Sequence, residues 1–171
     1  HLIGGYNISN LRAAVTVGLH FGVTPEQICH AIENYVPSNS RSEFRKTGKN
    51  SLIVDAYNAN PSSMIAALTN FQFIDSKHKM VILGDMRELG ADSEMEHLKV
   101  MDVLAGMPLE QIWLVGENFA SLNYPNKRIS PKYFKDVEAV KEEIANHPIS
   151  GKTILIKGSN GTKLFQLPEY L

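Results

Sequence analysis

Four short apolar runs, at residues 52–54, 80–83, 112–115 and 154–156, recur along the chain with helical patterns between most of them. The first, Leu52-Ile53-Val54, is too brief for a helix and rich in β-branched residues, so it reads as a buried strand of the parallel type. Strand, helix and strand in alternation lead to a parallel sheet with helices on both faces and right-handed crossovers. Few other folds accommodate such a rhythm.

Each run ends in polar residues: Asp55 after the first, Gly84-Asp85 after the second, Gly116-Glu117 after the third and Lys157-Gly158-Ser159 after the last. A strand commonly ends in Asp or Gly, because these residues form turns, so each tip alone has an ordinary explanation. Together they place charged groups along one edge of the sheet, where open α/β folds bind ligands. The stretch Asp55-Ala56-Tyr57-Asn58-Ala59-Asn60-Pro61 is the turn at the first tip. Asn60 suits an N-cap and Pro61 a first helical position, after which Met64, Ala67, Leu68 and Phe71 recur at helical spacing. Helix N-termini at such an edge offer free N–H groups to anions.

Ahead of this body lie two helical patterns. Ile8, Leu11, Val15 and Leu19 repeat over residues 8–22, with Gly22 as a C-cap. Thr24-Pro25-Glu26-Gln27 is an N-cap, a first-turn proline and a capping-box glutamine, followed by Ile28, Ala31, Ile32 and Tyr35. Pro37-Ser38-Asn39-Ser40 is turn chemistry without apolar periodicity, which predicts a hinge near residues 37–42. The predicted organisation is a helical remnant of another domain over residues 1–40 and an α/β body over 41–171. Within the body, Ser93-Glu94-Met95-Glu96 reads as a capping box leading into Met95, Leu98, Met101 and Ala105. Residues 135–147 supply another amphipathic stretch, and 120–134, with Pro125 and Pro131, read as a loop with a short strand.

Composition narrows the partners. The chain has 171 residues, with 17 Lys plus Arg against 18 Asp plus Glu, so no basic surplus is available to neutralise a nucleic-acid backbone. At that length folding buries roughly 70% of the extended chain's surface, enough for a true core. Cys29 is the single cysteine, which excludes an internal disulfide or a multi-cysteine zinc site and fits a reducing, cytoplasmic setting. No apolar run approaches the roughly 20 residues of a membrane span. The chain opens abruptly at His1, without a leader, and reads as the middle of something longer.

Several motifs fail on inspection. Gly151-Lys152-Thr153 resembles the end of a phosphate loop, but the leading position holds Asn146 and the run precedes a strand instead of following one. The dinucleotide fingerprint Gly-x-Gly-x-x-Gly is absent. His97 has no second histidine four residues on, so a helix-surface histidine is expected and no metal site is assigned. Arg41 sits in the hinge, where most arginines are solvated, although a guanidinium there can also bridge two domains through a nucleotide's phosphates. A phospho-acceptor receiver module is a second class to weigh, given Asp55, Asp85 and Lys157. It would need paired acids after its first strand, where Ala56-Tyr57-Asn58 stand here, and it has no place for the leading helices.

Taken in order, the runs Gly5-Tyr6-Asn7-Ile8-Ser9-Asn10 with Ala13-Ala14, residues 37–42, Asp55 to Pro61, Leu83-Gly84-Asp85-Met86-Arg87-Glu88-Leu89-Gly90 with Glu96-His97, and Lys157-Gly158-Ser159 resemble the Mur ligases. These are ATP-dependent amide-bond ligases of peptidoglycan synthesis. Within them the strings DAYNANP and LGDMRELG resemble the type that adds D-Ala-D-Ala to UDP-MurNAc-tripeptide. A sister ligase adding another amino acid or polyglutamate is the nearest alternative.

The resemblance implies a Rossmann-like C-terminal domain preceded by the last helices of a central ATPase domain. The P-loop, the magnesium ligands and the N-terminal domain would lie upstream, so this piece alone is expected to be inactive. ATP and Mg2+ are the implied cofactors. By position, Asn7 and Asn10 would lie beside adenine, Arg41 would reach the phosphates, Asp55 would accept from ribose hydroxyls, and Tyr57 and Asn58 would line the nucleotide side. Lys157 and Ser159 would carry catalysis beside the incoming dipeptide, with Asp85 and Asn160 as further substrate neighbours. Many members follow Lys-Gly-Ser with an arginine, whereas Asn160-Gly161 stands here, which leaves the dipeptide carboxylate without its usual clamp.

Overall fold

A computed structural model describes residue 5 and residues 7–35 and 42–171. In it the alternation closes into a six-stranded sheet. The strands are β1 (Glu43–Lys46), β2 (Ser51–Asp55), β3 (Lys79–Gly84), β4 (Gln111–Val115), β5 (Lys132–Phe134) and β6 (Thr153–Lys157). Their spatial order is β1-β2-β6-β3-β4-β5, so the last strand made lies near the middle of the sheet. Only β1 runs antiparallel, paired with β2 at the sheet's edge; the other pairings are parallel. All five parallel strands therefore end on the same rim.

Alternation along the strands sorts their side chains onto two faces. Leu52, Val54, Met80, Ile82, Trp113, Val115, Ile154 and Ile156 pack beneath helix α6 (Val137–Asn146), together with Leu164 and Leu167 of the last turn. Ile53, Val81, Leu83, Ile112, Leu114 and Leu155 pack beneath α3 (Pro61–Gln72) and α4 (Ser93–Ala105). Both faces are covered, as the apolar runs require.

The starts of the helices are set by local chemistry. Asn60 caps α3, its side chain accepting from Ser63 N–H at 2.8 Å while Ser63 Oγ accepts from Asn60 N–H at 3.1 Å, and Pro61 follows as the first helical residue. The four residues expected to face the core, Met64, Ala67, Leu68 and Phe71, are all buried. Asp136 caps α6 by accepting from Ala139 N–H at 3.0 Å. Ahead of the sheet, α1 (Asn7–His20) ends before Gly22, which has a φ of 77°, and α2 (Pro25–Glu33) carries the Thr24–Gln27 capping box.

Four expectations change. The edge strand β1 carries charges on a largely exposed ribbon, so no apolar run announces it. A four-residue helix, α5 (Glu117–Ala120), follows β4 directly. Ser93 makes no capping box, because a 3₁₀ turn, Gly90–Asp92, feeds into α4 and puts Asp92 at the cap position. His97 is fully buried instead of on the helix surface: α4 turns His97, Val100, Met101 and Leu104 inward and leaves Met95 49% exposed.

Candidate functional site

Asp55 ends β2 and Lys157 ends β6, and the two are direct partners across the parallel pair. Lys157 Nζ donates to Asp55 Oδ2 at 2.6 Å and to the Asn58 carbonyl at 3.3 Å. The lysine is 0% exposed, and the carboxylate side chain 14%. The other carboxylate oxygen accepts from Ser42 N–H at 3.3 Å, tying the first residue described after 36–41 to the sheet's rim. A buried ammonium is tolerated here because its counter-charge lies within hydrogen-bond reach. The turn above stays open: Tyr57 is 48% exposed, and Asn58 and Asn60 are exposed.

The second tip is tied to the third and the last. Asp85 Oδ2 accepts from Asn118 N–H at 2.9 Å and Oδ1 from Phe119 N–H at 3.0 Å, so this carboxylate holds the opening turn of α5. Gly116 makes that approach possible: its φ is 120°, and a Cβ there would lie 2.3 Å from the Asp85 carboxylate. Ser159 Oγ donates to the Asp85 carbonyl at 2.8 Å, and Thr162 Oγ1 donates to the Ser159 carbonyl at 2.6 Å. His97 braces the same loop from below. Its Nε2 accepts from Met86 N–H at 3.1 Å and its Nδ1 lies 2.7 Å from the Ser93 carbonyl. A backbone N–H on one side and a carbonyl on the other fix the neutral tautomer protonated at Nδ1.

Between these tips opens a cavity of about 610 Å³, lined by Asp85, Arg87, the 115–118 turn, the start of α6 and Gly161 to Lys163. Arg87 and Lys163 bring positive charge to its wall and are exposed. Residues 85 and 87 follow β3, 116 and 117 follow β4, and 161–163 follow β6, so the cavity sits at the carboxyl edge of the sheet. Reading the sequence alone missed Arg87 and Lys163. Their signal was available: both follow strand tips already singled out.

Of the sequence-assigned residues, the structure brings together Asp55, Lys157 and Asn58 at one tip and Asp85 with Ser159 at the next. Lys157 and Ser159 do not face an open site in this conformation. Both are buried, at 0% and 4% exposure, with their polar atoms bound to Asp55 and Asp85. Asn160 is exposed beside the cavity's Gly161 wall. Asn7 is half-buried and Asn10 exposed on α1. The start of that helix is joined to α3 by Gly5 N–H and Asn70 Oδ1 at 3.4 Å, toward the end of α3 remote from Asp55. Arg41 and residues 37–40 lie outside the described residues. Among the described residues no group of three His, Cys, Asp or Glu is placed to hold a metal ion, and no helix is long and apolar enough to cross a membrane.

A mostly parallel sheet with acids and a lysine on one rim and an α-helical preamble defines a class, and the family comparison agrees. Residues 40–160 match the model described as Mur ligase, glutamate ligase domain, and the chain belongs to that family. Several of the similar proteins share one name. The chain is 29% identical over 178 residues to the UDP-N-acetylmuramoyl-tripeptide--D-alanyl-D-alanine ligase of Bacillus subtilis (strain 168), with 99% of this chain and 38% of that protein covered. The same ligase of Rickettsia prowazekii (strain Madrid E) is 37% identical over 122 residues, covering 70% of this chain and 27% of that one. Among solved structures, a ligase from Acinetobacter baumannii of the same D-alanyl-D-alanyl-adding type superposes with a TM-score of 0.79 at 32% identity, covering 97% of this chain and 36% of that chain. The chain thus spans about 38% of the length of the curated relatives that match along all of it. Nothing among these neighbours supports the receiver alternative.

Proposed function

We propose that the chain is the C-terminal portion of an ATP-dependent ligase that joins D-Ala-D-Ala to UDP-MurNAc-tripeptide in the cytoplasm. One observation carries this reading: Asp55 and Lys157 meet on a rim shared with the Asp85 loop, beside a cavity, in a chain matched along its length by relatives bearing that name. In such a reaction ATP phosphorylates the substrate carboxylate, and the incoming amine displaces phosphate through a tetrahedral intermediate. Fixed cations and N–H donors then stabilise charge developing on phosphoryl and carbonyl oxygens.

The residues fit the nucleotide side of that chemistry. Asp55 is held by Lys157 with lone pairs left to accept from ribose hydroxyls, while the exposed Tyr57 and Asn58 line its approach. ATP supplies the phosphoryl group when bound, and Mg2+ would be held by the missing N-terminal and central domains. By their places in the sequence, Arg41 would reach the phosphates, and Asn7 and Asn10 would meet adenine once the C-terminal body closes. Lys157 acts through Asp55 and Ser159 through the Asp85 loop, as positioning residues. A relative from Thermotoga maritima has been solved with ADP, which is in keeping with nucleotide binding.

The test is phosphate release by the intact ligase carrying this chain. Release should require ATP, UDP-MurNAc-tripeptide and D-Ala-D-Ala together, and the chain alone should release none. Arg41→Ala in the intact enzyme should cut turnover about 100-fold while leaving the melting temperature in place, as expected for a cation acting on developing charge. Equal losses of activity and stability would count against that role.

A further inference from the structure

Resting on that reading, we infer that Arg87 is the residue that receives the carboxylate of the incoming dipeptide, inside the cavity at the ends of β3, β4 and β6. Its guanidinium is exposed on the cavity wall and makes one long hydrogen bond, from Nη2 to the Gly161 carbonyl at 3.3 Å. Among the described residues it has no carboxylate partner, and neither has Lys163. A guanidinium carries five N–H donors in a planar fork that matches a carboxylate, so most of its donors remain uncommitted.

The wall is shaped around this group. A Cβ on residue 161 would fall 2.2 Å from Arg87 Nη1 and 2.4 Å from Cζ, so any side chain there would displace the guanidinium. Glycine at 161 leaves the arginine room to lie over the loop on the cavity wall.

The charge pattern selects the ligand. Of the acids lining the cavity, Asp85 is taken by two backbone N–H groups, Asp136 caps α6 and Glu138 pairs with Lys141 at 2.8 Å. Glu117 remains without an ion-pair partner among the described residues. A wall carrying free charge of both signs suits a small zwitterion, with its carboxylate on Arg87 and its ammonium near Glu117. A polyphosphate placed there would meet Asp85, Glu117 and Glu138.

The experiment uses the intact ligase with D-Ala-D-Ala as the varied substrate. Loss of a charge-assisted, fork-shaped contact in R87A should raise the KM for the dipeptide by ~10–100-fold while kcat and the KM values for ATP and UDP-MurNAc-tripeptide stay within ~3-fold. R87K should recover part of the loss. The wild-type enzyme should prefer D-Ala-D-Ala to its C-terminal amide, and R87A should lose that preference. An unchanged dipeptide KM, a uniform loss across all substrates, or a preference for the free acid that survives in R87A would each overturn the inference and leave the ligase reading standing. A wild-type enzyme that ligates no dipeptide at all would overturn the ligase reading itself.

Discussion

Removing the ammonium of Lys157 would leave the Asp55 carboxylate, 14% exposed, without its counter-charge and facing the Ser42 backbone N–H. Breaking such a pair from one side costs about 3–5 kcal/mol, whereas replacing both members with apolar groups costs far less. Lys157→Met should therefore lose about that much in urea denaturation, and Asp55→Leu with Lys157→Met together should recover most of it. His97→Phe keeps the ring contact with Phe119 but orphans the Met86 N–H, for an expected loss of about 1–3 kcal/mol in the same measurement. The charged tips were legible from their positions after apolar runs, but the partners of each tip were not. Whether a strand-end carboxylate faces a ligand or the next turn's N–H groups depends on where the neighbouring tip lies. Asp85, expected beside the substrate, also accepts from the Asn118 and Phe119 N–H groups, and Lys157, expected beside the dipeptide, donates to Asp55.

The start of helix α3 was readable to the residue, because cap, first-turn proline and apolar spacing agree from Asn60 onward. Asn60→Ala should lower stability by about 1 kcal/mol, seen as a shifted denaturant midpoint with an unchanged slope. Helix α4 shows why agreement matters. Its sequence offers Met95, Leu98, Met101 as one apolar face and His97, Val100, Met101, Leu104 as another, and the Gly90–Asp92 turn rotates the second inward. β1 was invisible because an exposed edge strand needs no apolar pattern, and its Arg45 and Lys46 keep that edge from pairing with another chain. On the opposite rim, Glu110 before β4 bonds Lys152 before β6 and His78 before β3, the second at 2.6 Å. Donation from Lys152 first, then from His78, holds the Glu110 carboxyl below its usual range. A depressed folded-state value gives stability that is present at neutral pH and lost as pH falls through it. Glu110→Gln should therefore lower the melting temperature at neutral pH, and the gap to wild type should close in acid.

The two leading helices contribute little to the body behind them: among described residues α1 buries none of its own and α2 only Ile28. Deleting residues 1–41 should leave a single cooperative transition with a melting temperature within about 5 °C of the parent, a change matching roughly 1 kcal/mol in a domain of this size. A larger drop would mean that the helices are integral to the fold. Ile8, Val17, Leu19 and Phe21 stand exposed on this stretch, and in the ligase proposed above they would be covered by the rest of the enzyme. The strand order carries a different consequence. Because β6 lies between β2 and β3, a growing chain on the ribosome holds two half-sheets with facing unpaired edges until residue 157 emerges. At ~5–20 residues per second, the wait from the end of β3 lasts roughly 4–15 s. Throughout that interval the nascent polypeptide is most open to capture by chaperones, and a premature stop codon before β6 would make the opening permanent.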